Sequence, residues 1–440
     1  MADKQITTHH KVRKLQRTLY QQAKKKPNWK AWSIYADLCR KEFIEEAMSR
    51  ILKNKGGSGV DGYTVKVMEA QWDLFRDSLQ QELLGKTFRP SPVRRVSIPK
   101  DNGGTRKLGI PTVKDRVVQM LLVLLLEPVF EADFHDESYG YRRGKKATEA
   151  VDSVKKALYS GKTMAIEADL SQYFDTIDHE RLMKLVKGRV SDGAILSLIK
   201  AFLKVPVIEE SESGKKKTIP NDNKGVPQGG VVSPLLANLY LDKLDKSVNT
   251  LDPSHVKMVR YADDFVILVK EGLEGVLLER VKVWLERAGL TLNLNKTKIT
   301  DTRRNGKIEF VGFEISERRS VRTGNRYIHS QPSKKSTQKL RDKIRKELNH
   351  STTWRDTANV IKSMNRISRG WGNYFHHGNS SQVFNSANNW MFMRLRRWLR
   401  KKHAGQSGGR SMYLRFPTTK LTGEMGAYSL PNYASWKQRG

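Results

Sequence analysis

Between Val259 and Leu268 the chain reads VRYADDFVIL, an apolar and β-branched run broken by two adjacent aspartates, Asp263 and Asp264. Such a run is a buried strand, or two strands meeting at a turn. A carboxylate in that setting is costly unless it is paired, protonated or bound to a cation. Adjacent side chains of a strand point to opposite faces, so the two carboxylates act together only if a turn intervenes. Any fold of this chain must pair these carboxylates, keep them protonated or set a cation opposite them.

Asp169 is the partner that stands out. It closes the short apolar strand Met164-Ala165-Ile166 inside TMAIEADLSQYFDTIDHERL (Thr163–Leu182). If the two strands lie side by side, the carboxylates converge at one end. Magnesium favours such oxygen ligands, with water and substrate phosphate completing its shell. Two such ions serve nucleotidyl transfer. Read alone, the same residues also fit a strand end paired to lysine, with Asp175 and Asp178 as helix caps.

Charge narrows the choice. Lys and Arg total 81 against 46 Asp and Glu, a formal charge of +35 spread along most of the chain. Self-repulsion of that size contributes nothing to folding, and nucleic acid is the first polyanion to consider. No amphipathic lipid-anchor pattern stands out, and the most apolar run, Met120–Leu126, is too short to span a bilayer. Cys39 is the single cysteine, which excludes an internal disulfide and a cysteine-rich zinc site.

The pattern along the chain is mixed α and β, then helical. PSPVRRVSIPKDNGGTRKLGIPTVKDRVVQ (Pro90–Gln119) reads strand, glycine turn, strand, helix. NKGGSGVDGYT (Asn54–Thr64) lacks the Gly-Lys-Ser/Thr ending of a phosphate-binding loop, and a structural or backbone-contact role is expected. GVPQGGVVSPLLANLYLDKLD (Gly225–Asp245) is a glycine loop opening a helix, and Leu290–Thr300 and Ile308–Ser316 are strand-like. The pattern breaks in basic sequence around Arg319–Lys335. Beyond it, helical stripes appear at Leu340, Ile344 and Leu348, at Val360, Ile361, Met364 and Ile367, and at Met391, Leu395, Trp398 and Leu399. Arg394, Arg396, Arg397, Arg400 and Lys401 surround the last stripe and are expected to bind RNA or duplex. Trp371, Tyr374 and Trp398 are expected mostly in the core, and His376-His377 on the surface. An α+β sheet domain with antiparallel hairpins is expected, not a doubly wound nucleotide fold.

YADD (Tyr261–Asp264) resembles the Tyr-x-Asp-Asp motif of reverse transcriptases. The ordered blocks around it, with SYGYRRGKKATEA (Ser138–Ala150), LTLNLNKTKI, FVGFEIS and SRGWGNYF (Ser368–Phe375), resemble the bacterial group II intron reverse transcriptase/maturase family. The resemblance covers roughly residues 43 to 403. It implies a right-hand polymerase, with fingers and an antiparallel-sheet palm followed by an all-helical thumb/maturase domain. The expected divisions are a basic extension at 1–40, either helical and nucleic-acid-facing or a partly ordered arm, fingers and palm at 41–320, thumb/maturase at 321–403 and a tail at 404–440 that is a candidate DNA-binding remnant.

The resemblance implies an RNA-directed DNA polymerase using two Mg2+ ions, with Mn2+ as substitute. The implied partners are group II intron RNA, an RNA template with DNA primer, dNTPs and a DNA target, in the bacterial cytoplasm at the nucleoid. Asp169, Asp263 and Asp264 match the catalytic, metal-holding carboxylates. Lys100 and Arg106 match finger residues at the triphosphate, and Lys296 a late-palm lysine near it. Phe174 matches the aromatic gate that excludes a ribose 2′-hydroxyl; without the family it reads as a core ring. Gln228 matches a dNTP contact, and Pro227 and Gly229 the loop shaping the template pocket. With Cys39 alone, the cysteine-paired His-Asn-His nuclease of many relatives is not expected, and priming from a nick, a fork or exposed single strands is. A domesticated relative in phage defence or beside a CRISPR system, a splicing factor with a dead polymerase, and an RNA-templated RNA polymerase are the alternatives; Phe174 disfavours the last.

The charge makes one prediction. Affinity for duplex nucleic acid, measured by filter binding, should fall at least about tenfold between 50 and 200 mM salt, because phosphate contacts release counterions. A flat salt response would assign the +35 charge another purpose.

Overall fold

The computed structural model describes residues 2–54, 56–99, 104–210, 215–221, 223–403 and 409–431. Its strands are β1 (Val93–Pro99), β2 (Thr105–Ile110), β3 (Met164–Asp169), β4 (Val207–Glu210), β5 (Lys216–Ile219), β6 (Val256–Tyr261), β7 (Asp264–Val269), β8 (Lys298–Asp301), β9 (Ile308–Phe310), β10 (Phe313–Arg319) and β11 (Arg326–Pro332). They form three sheets, ordered β2-β1-β4-β5, β6-β7-β3-β8 and β11-β10-β9. Pairing is antiparallel throughout except for β1 with β4.

The sheet β6-β7-β3-β8 is the centre of the molecule, because both of its faces are covered. Ile166, Ala168, Phe265, Ile267 and Met258 face one core. Ala165, Val266, Leu268 and Val259 alternate with them and face a second core. Double burial explains why these strands read as unbroken apolar runs. The first core is built on helix Val113–Glu131, buried along nearly its whole length and containing Met120–Leu126. The second joins helix Ala147–Tyr159, strands β9 to β11 and the C-terminal helices.

The basic N-terminal segment belongs to the first core. In helix Ala2–Lys25, Val12, Leu19 and Ala23 are buried, and Gln16 Nε2 donates to the Leu124 carbonyl at 2.8 Å. The stripe recurs every three to four residues but is built from few large apolar side chains, so the surrounding lysines and arginines mask it. Arg189 staples the end of this segment by donating to the carbonyls of Ala23, Lys26 and Trp29 while paired with Asp133. In the glycine loop, Arg94 and Arg116 donate to the carbonyls of Ser58 and Gly57, which is the backbone-contact role expected there.

Two other stretches differ from their sequence appearance. The basic break at 319–335 is mostly a hairpin, with β11 paired along the whole of β10 and turning at Ser320–Asn325. Of Leu290–Thr300, only the end enters β8; Asn293 accepts backbone hydrogen bonds from Lys296 and Thr297 and bends the chain into a turn.

The C-terminal helices Lys334–Glu347, Thr357–Phe375 and Ser381–Lys402 bury the three stripes read from the sequence. Trp398 is in the core, and Trp371 and Tyr374 pack against it. His377 Nε2 lies 2.8 Å from Asp152 Oδ1, joining this helical part to helix Ala147–Tyr159. Residues 409–431 fold back on the same helices, where Asn388 makes a two-way hydrogen bond with the Leu430 backbone. Among the described residues, no helix is long and apolar enough to cross a membrane.

Candidate active site

The aspartate pair sits where two strands meet. β6 ends at Tyr261, β7 begins at Asp264, and Ala262 and Asp263 form a two-residue hairpin loop. Ala262 has φ +61°, the sign required at the first position of a type II′ turn, where glycine is usual. The turn is what allows Asp263 and Asp264 to work together. Asp264 pairs directly across from Asp169 at the end of β3, so their side chains leave the sheet on the same face.

A buried arginine holds the hairpin. Arg260 is 1% exposed. Its Nε and Nη2 bond the Asp245 carboxylate at 2.7 and 2.5 Å, and its Nη1 donates to Asn238 Oδ1 at 2.9 Å and to the Ala262 carbonyl at 2.8 Å. Its backbone exchanges hydrogen bonds with Glu137 and Tyr139. Asn238 in turn donates to the Gly140 carbonyl at 2.7 Å. A Cβ on Gly140 would lie 2.2 Å from the Ala262 nitrogen, so only glycine lets the 138–144 loop press against the turn.

The carboxylates are short of positive charge. Burial pushes Asp264 up to about 7, helped by the charges of Asp263 and Asp169; a hydrogen bond from the Val311 backbone amide opposes the shift. Asp263 is also raised, by burial first and by Asp169, with Arg106 and Lys296 pulling it down. Lys296 Nζ lies 2.5 Å from Asp169 Oδ2, delivered there by the Asn293–Thr297 turn, whose Asn293 amide donates to the Asp169 carbonyl. A set of hard oxygen donors that repel one another suits a divalent cation. Among the described residues, no three or more His, Cys, Asp or Glu side chains are gathered as a ready metal cage.

Residues expected at the nucleotide surround these carboxylates. Arg106 is exposed on β2 and close enough for its charge to act on Asp263. Lys100 lies outside the described residues. Phe174 is half-buried, edge-on to Tyr173 with ring centroids 5.5 Å apart, and its carbonyl accepts from the Val226 amide at 2.7 Å. The following loop then reaches β2: the Gly109 amide donates to the Gln228 carbonyl at 2.7 Å. Gly229, at φ +115°, approaches so closely that a Cβ would lie 2.4 Å from the Gly109 carbonyl oxygen. Pro227, Gln228 and Gly229 thus bridge β2 and the Phe174 segment. Ser233 Oγ locks the loop by donating to the Pro227 carbonyl at 2.8 Å.

In the helical part, Arg397, Arg400 and Lys401 are exposed and Arg394 is half-buried. Arg396 differs from the expectation of a nucleic-acid contact. It is 4% exposed, and its donors go to the Phe416 carbonyl and Thr418 Oγ1, so it anchors the tail instead. Sequence reading missed Arg260, Asn238, Asp245 and Gly140. Arg260 did carry a signal: a charge inside the same apolar run that made the aspartates conspicuous. It also missed Tyr141, a residue at φ +57° within electrostatic reach of Asp263 and Arg106.

Most of the chain is similar to known proteins. Residues 98–315 match the family model described as reverse transcriptase (RNA-dependent DNA polymerase), and residues 337–415 match the maturase-specific domain of group II introns. The chain is 32% identical to Protein YkfC of Escherichia coli over 371 residues, 74% of this chain and 93% of that protein. It is 28% identical to the group II intron-encoded protein LtrA of Lactococcus lactis over 65% of this chain, and there it spans only 57% of the relative's length. Nuclear intron maturase 1, mitochondrial, of Arabidopsis thaliana is 27% identical over 32% of this chain and 26% of its own.

The raised Asp264 predicts a pH-dependent stability. Between the ordinary 3.8 and about 7 the folded state keeps a proton that the unfolded chain has released. Stability therefore falls as pH rises through that window. With divalent ions chelated, Asp264→Asn should stabilise the protein by about 1–2 kcal/mol at pH 8 and barely at pH 4. Thermal melts showing the same gain at both pH values would contradict this.

Proposed function

The chain belongs to the reverse transcriptase family in its group II intron form, a polymerase domain followed by a maturase-specific domain, and from that premise we propose how its residues divide the work. The protein copies RNA into DNA from a DNA primer, and binds a group II intron RNA both to aid its splicing and to copy it into a DNA target during retrohoming. The observation that supports the reading is the pairing of Asp264 across from Asp169 at one sheet end, with Asp263 in the adjoining turn, Lys296 bonded to Asp169 and Arg106 acting on Asp263. A basic protein with this partner set works in the bacterial cytoplasm, on the nucleoid.

Asp169, Asp263 and Asp264 would hold the divalent cations, Mg2+ with Mn2+ as substitute, which stabilise charge on phosphoryl oxygens and acidify a hydroxyl. Arg106 and Lys296 bind the incoming triphosphate, as charge-assisted donors suited to phosphate; Lys100 shares that role. The Lys296 ammonium also relieves Asp169 while no nucleotide is present. Phe174 excludes the ribose 2′-hydroxyl by the bulk of its ring. Pro227, Gln228 and Gly229 form the floor of the pocket, held rigid because the loop is bonded on both sides. Arg394, Arg397, Arg400 and Lys401 contact phosphates of the duplex or intron RNA, which adds affinity without sequence preference.

Primer extension on an RNA template with dNTPs and Mg2+ tests this directly. Asp263→Ala should lower the rate by at least about a hundredfold; unchanged extension would remove the carboxylate site from the reaction. Phe174→Ala should raise ribonucleotide relative to deoxynucleotide incorporation by about tenfold or more. No change in that ratio would return Phe174 to the role of a packing residue.

A further inference from the structure

The turn joining β9 and β10 is strained. Val311 has φ +43° and Gly312 φ +85°. Left-handed backbone is routine for glycine and an outlier for a β-branched residue, so the surroundings must impose it. The register closes Phe310 directly on Phe313, leaving a two-residue tip.

The C-terminal helical part captures both carbonyls of that tip. Tyr374 Oη donates to the Val311 carbonyl at 2.8 Å. Ser336 Oγ and the Ser333 amide donate to the Gly312 carbonyl at 2.8 and 2.9 Å. A Cβ on Gly312 would lie 2.9 Å from Ser336 Oγ, so the tip and the helix start are in close contact. Phe313 packs on the rings of Tyr374 and Phe375, with centroids 5.5 and 4.8 Å apart. Burial pushes the Tyr374 phenol up to about 12, so it remains a donor at working pH.

The other side of the tip faces the carboxylates. The Glu309 amide donates to Glu167 Oε2 at 2.8 Å, tying β9 to β3. The Val311 backbone amide also lowers the Asp264 carboxyl against the effect of burial, which sets this turn beside that carboxylate. The segment 309–312 therefore has its carbonyls held by the helical part and its Glu309 amide tied to β3. The link between Tyr374 and Asp264 runs through this backbone.

We infer that Tyr374 is a positioning residue for polymerisation: by holding the Val311 carbonyl it maintains the strained 311–312 turn against Asp264, so the helical domain sets the geometry of the carboxylate site. This rests on the polymerase reading above. It gives the C-terminal domain a part in the chemical step that is separate from binding nucleic acid.

Tyr374→Phe keeps the ring packing and removes only the donor. In the full-length protein, kcat for primer extension should fall roughly five- to tenfold, the pattern of a lost interaction that acts on the chemical step and not on uniform binding. KM for dNTP, affinity for an RNA–DNA heteroduplex and the melting temperature should stay nearly constant. Amide hydrogen exchange across residues 308–315, measured without nucleic acid, should speed up at least about fivefold. Ser336→Ala should move both readouts in the same direction but less, because the Ser333 amide still holds Gly312. Unchanged exchange would overturn the clamp. Faster exchange with unchanged kcat, or a kcat loss matched by lost heteroduplex affinity, would overturn the positioning role. An unaltered protein that extends no primer would refute the polymerase reading, while exchange still decides the clamp.

Discussion

The charge of Arg260 is buried beneath the hairpin that carries Asp263, and the site's geometry depends on how that charge is satisfied. Removing a guanidinium from water is expensive, and the cost is offset only when geometry and partners are complete. Asp245 supplies the paired charge, while Asn238 and the Ala262 carbonyl take further donors. These partners come from helix Ser233–Asn249 and from the hairpin itself, and the arginine backbone bonds the 137–139 segment. A charge that must be satisfied from three directions leaves little freedom to the turn between them. The cost of burying Arg260 thus enforces a fixed position for Asp263.

The opposite condition holds at the surface of the site. Asp264 faces Asp169 across the strand pair with Asp263 beside it, too little positive charge offsets them, and burial raises Asp263 and Asp264. Lys296 compensates in part, from a side chain that is more than half exposed. An inner pair that is closed and an outer cluster that is under-compensated make a rigid frame around a reactive edge. The net charge of +35 over the whole chain attracts phosphates to the protein.

The central sheet connects the two cores of the molecule. One face packs on helices Ser233–Asn249 and Glu274–Arg287, in the core that also holds Val113–Glu131 and the N-terminal helix; the other packs on helix Ala147–Tyr159, in the core that also holds the C-terminal helices. Asp169 and Asp264 lie at the end of the second face. Their surroundings are consequently shared between parts of the chain more than a hundred residues apart.

Much was legible in the sequence because it depended on local pattern. The apolar strands, the glycine hairpins and the helical stripes follow from side-chain periodicity, and Asp169, Asp263 and Asp264 were conspicuous as carboxylates in apolar runs. The N-terminal extension read as a nucleic-acid-facing helix or a partly ordered arm, and its packing into the first core was not legible, because its apolar stripe is thin and its basic face dominates composition. The basic stretch before Lys335 looked like a break, because β11 gains its order from pairing with β10 and not from its own residues. Arg396 looked like its exposed neighbours, since which arginine turns inward depends on what the tail offers it. By itself, the sequence determined where carboxylates, glycines and apolar stripes occur, since each is a property of residue type and spacing. Only the tertiary structure decided that Arg260 braces the turn, that the 227–229 loop docks on Gly109, and that Tyr374 grips Val311. Those contacts join segments far apart in the chain, and long-range partners leave no period for a sequence to display.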